Sequence, residues 1–363
     1  MNDLQGKIAR FRERLGNMHR QSGRNWISIG LNIMRLKRSR GFIFVEIHDN
    51  ELDLRGREYE ESFLNWEEQK RYLELLNPRK YYSLARNKYL AHLTLDAVGI
   101  KDKSRLLCYY NPEMGLGTDK VSVDCASTLK ILSESGERQF VVKTTESSHG
   151  DNVWVIKDIK FDATADATLE RFDGETLRLS ELLKAEPLIF ETLIHQSEQM
   201  RRLNASSVNT IRFMTTLMPS GEARVIACFV KVGRAGRCVD NAGSGGNVDA
   251  GVDVETGRIF NPILFKGWRN TIPITEHPDS HVALDNLVVE NWDSIKAKVI
   301  SFQQRLPFVK AAGWDIAITE NGPMVIEVND MWDRTGQLFI GRGWKAEIRE
   351  CYEAWRKYYT ENK

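Results

Sequence analysis

The stretch that decides the fold is GWDIAITENGPMVIEVNDMWD, residues 313–333. Apolar and polar residues alternate along it, which is typical of a β-hairpin. Asn-Gly favours tight hairpin turns and proline cannot donate a ladder hydrogen bond, so residues 321–323 are predicted to form the loop. Glu320 then pairs with Met324.

This pairing assigns the side chains of the hairpin to two faces, because directly opposed residues share a face. One face is predicted to join the core, and it carries Trp314, Ile316, Ile318, Met324, Ile326 and Val328. The other face carries Asp315, Ala317, Thr319, Val325, Glu327 and Asn329. Asp315 is predicted to lie opposite Asn329, and Glu327 opposite Ala317. A loop of two or four residues would move Asp315 to the wrong face.

Three oxygen-bearing side chains therefore converge on one side of the hairpin: Asp315, Glu327 and Asn329. Two carboxylates and an amide oxygen suit a hard cation such as Mg²⁺, which takes oxygen ligands and completes its shell with water and phosphate oxygens. The alternative is an ordinary solvated polar face.

Composition places the chain among globular proteins. It has 363 residues, a net charge of +1 and 42% hydrophobic residues, enough for two or three domains. No apolar run approaches the roughly 18 residues of a membrane span, and no secretory signal opens the chain. Five cysteines without CxxC spacing predict reduced thiols, a cytoplasmic location and no zinc site. No nucleic-acid partner is expected, and the oligomeric state is not readable.

The near-zero net charge hides a local asymmetry. Residues 1–40 carry ten Lys or Arg against two acids, whereas residues 46–68 carry nine acids against two arginines. The basic, partly amphipathic start could rest on an anionic membrane or hold a phosphorylated substrate. The alternative, which we favour, is that the two blocks pair with each other.

Two lysines precede features that suit phosphate binding. Lys88 lies in a predicted helix from Tyr81 to Gly99. Lys143 ends a predicted strand, and the loop after it is rich in small residues and donors, so its backbone N–H groups could cradle a phosphate. This loop carries Ser147, Ser148, His149 and Gly150. The alternative is a simple turn.

Further candidates lie between these lysines and the hairpin. The buried strand of residues 187–194 carries Glu191 and can present backbone groups to an adenine, with Glu198 beyond it for the ribose. Arg212 lies in an apolar strand and needs an anionic partner, either a phosphate or a carboxylate. A flexible loop able to approach a ligand follows, and its candidate substrate residues are Arg234, Arg237, Asn241, Gly245 and Gly246.

The ordered set of motifs resembles the ATP-grasp superfamily. The motifs are Asn87-Lys88, VVK at 141–143, SSHG at 147–150, FETLI at 190–194, NTIRF at 209–213, NAGSGG at 241–246, GWD at 313–315 and IEVN at 326–329. The sequence is most similar to the sugar-transfer-associated branch, related to α-L-glutamate ligases. Asn87 stands where an Asp often precedes the lysine, and the phosphate loop holds Ser148-His149 in place of more glycine.

The resemblance implies an α+β fold in which two α+β lobes clamp a nucleotide, preceded by a mainly helical basic segment. The implied division is an N-terminal lobe at 1–100, a small nucleotide-clamping lobe at 101–194, and a large lobe with metal and acceptor sites at 195–363.

The same resemblance assigns roles to the candidate residues. Lys88, Lys143 and the loop of Ser147, Ser148 and Gly150 would hold ATP phosphates, while Glu191 and Leu193 would meet the adenine edge and Glu198 the ribose. Asp315 would bind one Mg²⁺, Asn329 a second, and Glu327 would bridge the two. Arg212 would neutralise the transferring phosphoryl group or orient the acceptor carboxylate.

The implied reaction is an ATP- and Mg²⁺-dependent ligation of a carboxylate and an amine through an acyl phosphate. Its substrates are predicted to be an amino acid or peptide, or a sugar acid or amino sugar, in polysaccharide or secondary-metabolite biosynthesis. The alternatives are a non-ligase ATP-binding module of a glycan-assembly complex and an ATP-dependent phosphotransferase.

Three remaining candidates have structural alternatives. His277 could act as a base for the amine, or it could be a structural histidine. Trp332 and Asp333 follow the hairpin and could line the acceptor pocket, or they could only pack the lobe.

Overall fold

The computed structural model describes residues 3–146, 152–163, 165–184, 186–237 and 246–362. The described chain is α+β, with a helical N-terminal segment followed by two seven-stranded sheets.

Five helices form the N-terminal segment: α1 (Asp3–Ser22), α2 (Trp26–Arg40), α3 (Phe44–Asp49), α4 (Arg57–Ser62) and α5 (Trp66–Leu76). Asn25 begins α2 by accepting a hydrogen bond from the Ser28 amide, and Gly41 ends it in the left-handed conformation. Met18, Ile29 and Leu36 are buried in a small core of their own. The predicted helical start is therefore present.

Among the described residues, ion pairs join the basic start to the acidic block at three arginines. These are Arg14–Asp49, Arg35–Glu60 and Arg40–Glu61, with N–O distances of 3.6, 2.5 and 2.6 Å. The favoured pairing of the two blocks is confirmed for these three arginines.

The single helix predicted from Tyr81 to Gly99 is wrong, because two shorter helices occupy the region. They are α6 (Ser83–Arg86) and α7 (Lys88–Ala97), separated at Asn87. The Asn87 side chain accepts a hydrogen bond from the Leu90 amide and so begins the second helix. The buried face of α7 carries His92 and Leu95.

The first sheet has the strand order β2-β1-β7-β3-β4-β5-β6. Its strands are β1 (Leu106–Tyr110), β2 (Val121–Ser122), β3 (Phe140–Thr144), β4 (Val153–Phe161), β5 (Ala167–Arg171), β6 (Thr176–Arg178) and β7 (Leu188–Thr192). Helices α8 (Cys125–Ser135) and α9 (Leu179–Leu182) share a core with it. The central β7 strand is buried and pairs antiparallel with β1 and β3.

The second sheet has the order β12-β11-β10-β9-β8-β13-β14. Its strands are β8 (Thr210–Leu217), β9 (Ala223–Val232), β10 (Val248–Val252), β11 (Ile259–Phe265), β12 (Thr271–Pro273), β13 (Ala311–Thr319) and β14 (Gly322–Asn329). The helices of this part are α10 (Glu198–Leu203), α11 (Trp292–Arg305), α12 (Gly336–Phe339) and α13 (Lys345–Glu361). One core, with Trp314, includes residues of α11, and another, with Trp344, includes residues of α5 and α13.

The end of α5 fixes the N-terminal segment to the second sheet. The Asn77 amide group donates to the carbonyls of Ala311 and Asp330 at 2.7 and 2.6 Å. Gln69 donates to the carbonyl of Trp332 at 2.6 Å. In the described ranges, no helix combines the length and the apolar character needed to cross a bilayer.

Candidate active site

The hairpin predicted at 313–333 is present as β13 and β14, but its loop is shorter than predicted. Thr319 pairs with Gly322, so the loop is formed by residues 320 and 321 alone. Gly322 has a φ of +109°, which only glycine adopts without strain. The three-residue loop at 321–323 is therefore wrong.

The register near the carboxylates also differs from the prediction. Asp315 pairs directly with Glu327, and Asn329 pairs with Gly313. The predicted opposition of Asp315 and Asn329, and of Glu327 and Ala317, is wrong. The two carboxylates nevertheless share one face, because the ladder shifts by one residue at Ile326.

This β-bulge compensates for the two-residue loop. In an unbroken ladder with that loop, Asp315 and Glu327 would point to opposite faces. The extra residue restores their common face, and Ile326 joins Glu327 in lining a cavity. Val325 takes the place in the core that was predicted for Met324 and Ile326.

Asp315 is held by two cations on neighbouring strands. Arg212 of β8 donates to both carboxylate oxygens, through Nε to Oδ1 and through Nη2 to Oδ2 at 2.6 Å. Lys231 of β9 lies 3.2 Å from Oδ1. Burial raises the pKa of Asp315, but the charges of Arg212 and Lys231 outweigh it, and the net pKa lies below the ordinary value. Arg212 was predicted to need either a phosphate or a carboxylate as its partner, and its partner here is the carboxylate of Asp315.

Glu327 and Asn329 have oxygens that remain available. Within the described ranges, the Glu327 carboxylate accepts no hydrogen bond and forms no ion pair. The Asn329 amide nitrogen lies 3.4 Å from the Gly313 carbonyl, and its oxygen accepts no hydrogen bond from described residues. Alternating positions on β14 thus present a carboxylate and an amide oxygen toward one side, which suits a hard cation.

A metal site in this place would not be complete from protein ligands alone. Among the described residues, no group of three or more His, Cys, Asp or Glu is arranged to hold a metal ion. The Asp315 carboxylate is already bonded to Arg212 and Lys231. Mg²⁺ is usually held by one or two carboxylates together with phosphate oxygens, so the donor set fits Mg²⁺ bound to a phosphate chain.

A cavity of about 440 Å³ lies between the two sheets, in front of these carboxylates. This volume is within the range of about 300–1,000 Å³ found for small-molecule sites. The first sheet contributes the apolar residues Val141, Val153 and Val155 together with Lys143, Glu191 and Thr192. The second sheet contributes mainly polar and charged residues, including Lys231 and Glu327.

The two predicted phosphate lysines line the same cavity. Lys88 is at the first position of α7, and its backbone amide donates to the Thr145 carbonyl at 2.9 Å, just past β3. Burial lowers the pKa of Lys88, and Lys143 lowers it further, while Glu327 opposes the shift. Lys88, Lys143 and the carboxylate of Glu327 therefore line the same cavity.

Glu191 uses its side chain in a way that the sequence did not indicate. The carboxylate is buried and lies 2.7 Å from the Lys143 ammonium group, 2.5 Å from His92 Nε2 and 3.1 Å from the Ser104 hydroxyl. Burial alone would raise the pKa of Glu191, but Lys143 and His92 outweigh it and lower the pKa. Lys103 in turn lies 2.8 Å from His92 Nδ1.

The segment after β7 offers unpaired backbone donors. Residues 193–196 line the cavity without regular structure. The amides of Leu193, Ile194 and His195 make no hydrogen bond to any described part of the chain. Backbone N–H groups are seldom left without a partner, so these donors are free to bind a ligand or water. Glu198 lies further out, exposed and paired with Arg201 at 2.6 Å.

The candidate substrate residues of the loop region differ in their surroundings. Arg234 pairs with Asp279 at 2.7 Å and donates to the Gly246 carbonyl at 3.1 Å. Arg237 is exposed. Asn241 and Gly245 lie outside the described residues, as do Ser147, Ser148, His149 and Gly150.

His277 has the environment of a structural histidine. It is fully buried, and its Nε2 lies 2.9 Å from the Gly233 carbonyl. Its Nδ1 accepts from the amides of Asp279 and Ser280, both at 3.3 Å. Burial lowers its pKa, which favours the neutral ring. Since both ring nitrogens are used and the ring does not line the cavity, the geometry does not place it as a base.

Trp332 and Asp333, which follow the hairpin, lie in different surroundings. Trp332 is buried in the core shared with α13, so packing accounts for it. Asp333 is exposed, and its carboxylate accepts from the backbone amide of Thr335 at 2.5 Å. Burial lowers the pKa of Arg212, but Asp315 outweighs it and raises the pKa, with smaller contributions from the charges of Glu327 and Asp333.

Sequence reasoning missed Lys231, His92 and Lys103. Lys231 could have been found, because it is the one charged residue in the apolar run IACFVKV. His92 and Lys103 carry no local signal, since they reach the site only through the packing of α7 and the segment before β1.

The family model described as sugar-transfer associated ATP-grasp matches residues 67–352. No curated protein sequence matches the chain.

Solved structures of ligases share low similarity with it. The ATP-grasp ligase PsnB, solved with a minimal precursor, is 14% identical with a TM-score of 0.40, over 77% of this chain and 63% of that one. Phosphoribosylamine–glycine ligase from Thermotoga maritima is 12% identical with a TM-score of 0.45, over 78% and 57%. D-alanine–D-alanine ligase from Helicobacter pylori is 14% identical with a TM-score of 0.41, over 78% and 64%. The matched part is less than two thirds of each of these proteins.

Proposed function

The chain belongs to the sugar-transfer-associated ATP-grasp family, and we propose that it is an ATP- and Mg²⁺-dependent ligase that joins a carboxylate to an amine. The observation that carries the proposal is the cavity between the two sheets, which is lined by Lys88, Lys143 and the carboxylate of Glu327, a carboxylate that accepts no hydrogen bond from the described residues. This arrangement suits a triphosphate held by cations of the protein on one side and by a metal on the other.

The nucleotide is proposed to lie with its base at the segment after β7. The free amides of Leu193, Ile194 and His195 can bind the acceptor atoms of an adenine edge. The apolar walls from Val141, Val153 and the neighbouring strands exclude water from the ring faces. Glu198, at the outer end of this segment, is the candidate for the ribose hydroxyls.

The phosphates then extend toward Lys88, Lys143 and the hairpin. Glu327 and Asn329 would hold Mg²⁺, with the neighbouring Asp315 carboxylate as a further candidate ligand, and we propose that two ions bind here. When bound, Mg²⁺ supplies neutralisation of the phosphate charge, which otherwise repels an attacking carboxylate.

Arg212 and Lys231 do a second task from the same position. Their two positive charges exceed the one negative charge of Asp315, and we propose that this positive edge meets the anionic acceptor. Fixed charges in a site shielded from water stabilise a developing charge without reorganisation, which is the main need of phosphoryl transfer.

The proposed reaction has two steps. A carboxylate oxygen of the acceptor attacks the γ-phosphorus, the bond to the β,γ-bridging oxygen breaks, and ADP and an acyl phosphate result. The amine then attacks the acyl carbon, inorganic phosphate leaves, and the amine proton passes to solvent or phosphate. No covalent bond to the enzyme is needed.

The acceptors are proposed to be an amino acid or peptide, or a sugar acid or amino sugar. Exposed Arg237 and the positive edge at Arg212 and Lys231 support an anionic partner.

The test is ADP release from ATP and Mg²⁺ across pools of carboxylates and amines. We expect release that needs both a carboxylate and an amine, and a loss of about a hundredfold in rate for Glu327→Gln, because one lost charge stabiliser removes about 3 kcal/mol. The matched control is Glu290→Gln, which changes an exposed carboxylate outside the cavity that has no hydrogen-bond partner among the described residues.

Other outcomes separate the alternatives. Tight binding of ATP and Mg²⁺ without turnover in any pool would indicate a binding module. A phosphorylated product in place of free phosphate would indicate a phosphotransferase. Equal losses for both substitutions would contradict the role given to Glu327.

A further inference from the structure

Exposed large hydrophobic side chains concentrate at the start of the described chain. Twelve are spread between residues 54 and 358. Nine more lie before residue 46: Leu4, Ile8, Phe11, Trp26, Ile27, Leu31, Met34, Ile43 and Val45. Such a concentration on a folded surface marks an interaction site more often than chance exposure does.

Helix α2 carries an apolar stripe on its outer side. Ile27, Leu31 and Met34 follow each other at helical spacing, and their exposed fractions are 76%, 58% and 47%. The opposite side of the same helix buries Ile29 and Leu36 in the core of the N-terminal segment. The helix is therefore apolar on both sides, and the side that contains Ile27 has no cover in the described residues.

The part of the chain that carries this stripe is basic and contains no acidic residue of its own. Residues 14–45 contain no Asp or Glu. Arg24, Lys37 and Arg38 are exposed, and none of them pairs with an acid among the described residues. The pairing with the acidic block uses Arg14, Arg35 and Arg40, so it does not account for these three cations.

We propose that the outer face of α2, comprising Ile27, Leu31 and Met34 with Arg24, Lys37 and Arg38 around it, lies on an anionic lipid surface. An apolar stripe bordered by Lys and Arg is the pattern of a helix that lies in the plane of a membrane interface. Trp26 stands at the start of the helix, and tryptophan favours that interface. Cationic side chains near anionic lipids add to the attraction.

The positive charge of this face also argues against a second copy of the chain or a protein partner as its occupant. A second copy would bring the same cations face to face, and like charges across an interface disfavour association. A segment without a single acid over 32 residues lacks the mixed charges that fix the register of a specific protein complex. The proposal is independent of the ligase activity, since this face lies outside the cavity.

Flotation of the full chain with lipid vesicles tests this. We expect flotation with vesicles of phosphatidylcholine and phosphatidylglycerol, and about tenfold less with phosphatidylcholine alone or at high salt. The double variant Ile27→Glu, Leu31→Glu is expected to lose flotation. The matched control is Met114→Glu, Leu116→Glu, which adds the same charges at exposed apolar positions elsewhere and is expected to float like the wild type.

Circular dichroism and ATP binding of each variant report whether it folds, and Lys37→Gln, Arg38→Gln tests the charge without an apolar change. Flotation that is absent, insensitive to anionic lipid or unchanged in the first variant would overturn the proposal. Concentration-dependent dimers in lipid-free sedimentation, lost only in the Ile27 and Leu31 variant, would assign the face to a second copy and also overturn it.

Discussion

At the scale of single residues, the site depends on how Asp315 is neutralised. A buried carboxylate without partners would be costly, and here Arg212 and Lys231 from two neighbouring strands offset that cost. The sequence indicated that Arg212 needed an anion, but Lys231 passed unnoticed as the single charge of an apolar strand. Both residues are single charges in apolar strands, and a buried charge of either kind needs a partner of opposite charge. The argument made for Arg212 therefore applies equally to Lys231.

Arg212→Met is expected to reduce the free energy of unfolding by about 3 kcal/mol at neutral pH. The buried Asp315 carboxylate would lose both hydrogen bonds from Arg212 and keep only Lys231 as a cationic partner. The pKa of Asp315 is lowered in the folded state, so the pair stabilises the fold above the ordinary carboxyl pKa and stops doing so as pH falls through the folded pKa. The difference between wild type and variant should therefore shrink in acid. Urea unfolding at neutral and acidic pH measures it.

Arg201→Met is the control for this prediction. It breaks the exposed pair with Glu198, which is worth at most about 1 kcal/mol. A loss for Arg212→Met that is no larger than the control, or that grows as pH falls, would show that Asp315 is not held ionised by Arg212.

At the scale of elements, the hairpin shows what a sequence can and cannot specify. Alternation correctly predicted two strands at 313–333 and a shared face for Asp315 and Glu327. It failed on the loop length and on Ile326, because a bulge leaves no mark in the alternation when the neighbouring residues Val325 and Ile326 are both apolar. The shorter loop alone would have placed Asp315 and Glu327 on opposite faces, and the bulge returned them to one face. The predicted shared face is therefore correct although the predicted loop length and register are wrong.

The helix α7 and the segment before β1 form a second support that local patterns did not reveal. Lys103 pairs through its backbone with Val325, next to the bulge, and through its side chain with His92. The Asp102 carbonyl accepts from the Val325 amide at 2.7 Å. This short segment therefore joins the hairpin of the second sheet to Glu191 of the first.

His92→Ala is expected to weaken ATP binding about tenfold. Without the His92 ring, Glu191 is left to Lys143 and Ser104, so it holds Lys143 more tightly and withdraws it from the phosphates. The expected size corresponds to about 1.4 kcal/mol, close to the lower end of the range of about 1.5–3 kcal/mol for a hydrogen bond to a charged group. Calorimetric titration of ATP measures it.

His92→Gln is the matched variant, because glutamine keeps one donor for Glu191. It should retain most of the ATP affinity. If both variants lose affinity equally and unfold at the same lower temperature, His92 serves only the packing of α7 and not the position of Lys143.

At the scale of the whole molecule, order along the chain predicted more than any single motif. The N-terminal helices, the two sheets and the ATP-grasp family follow from spaced motifs over more than two hundred residues. The boundaries at 100 and 194 remain predictions. The resemblance predicted a nucleotide site between two lobes, but the volume and the lining of the cavity could not be predicted, because they depend on how the two sheets face each other. Individual contacts such as Lys143 with Glu191 could not be predicted from the sequence either.

The central claim is that the cavity between the sheets holds a nucleotide whose metal is bound at β14. The most direct measurement is anomalous diffraction from crystals grown with Mn²⁺ and a non-hydrolysable ATP analogue. We predict manganese peaks within coordination distance of Glu327 and Asn329, with the phosphates running toward Lys88 and Lys143. Manganese bound elsewhere, or a nucleotide that leaves Glu327 facing solvent, would contradict the account.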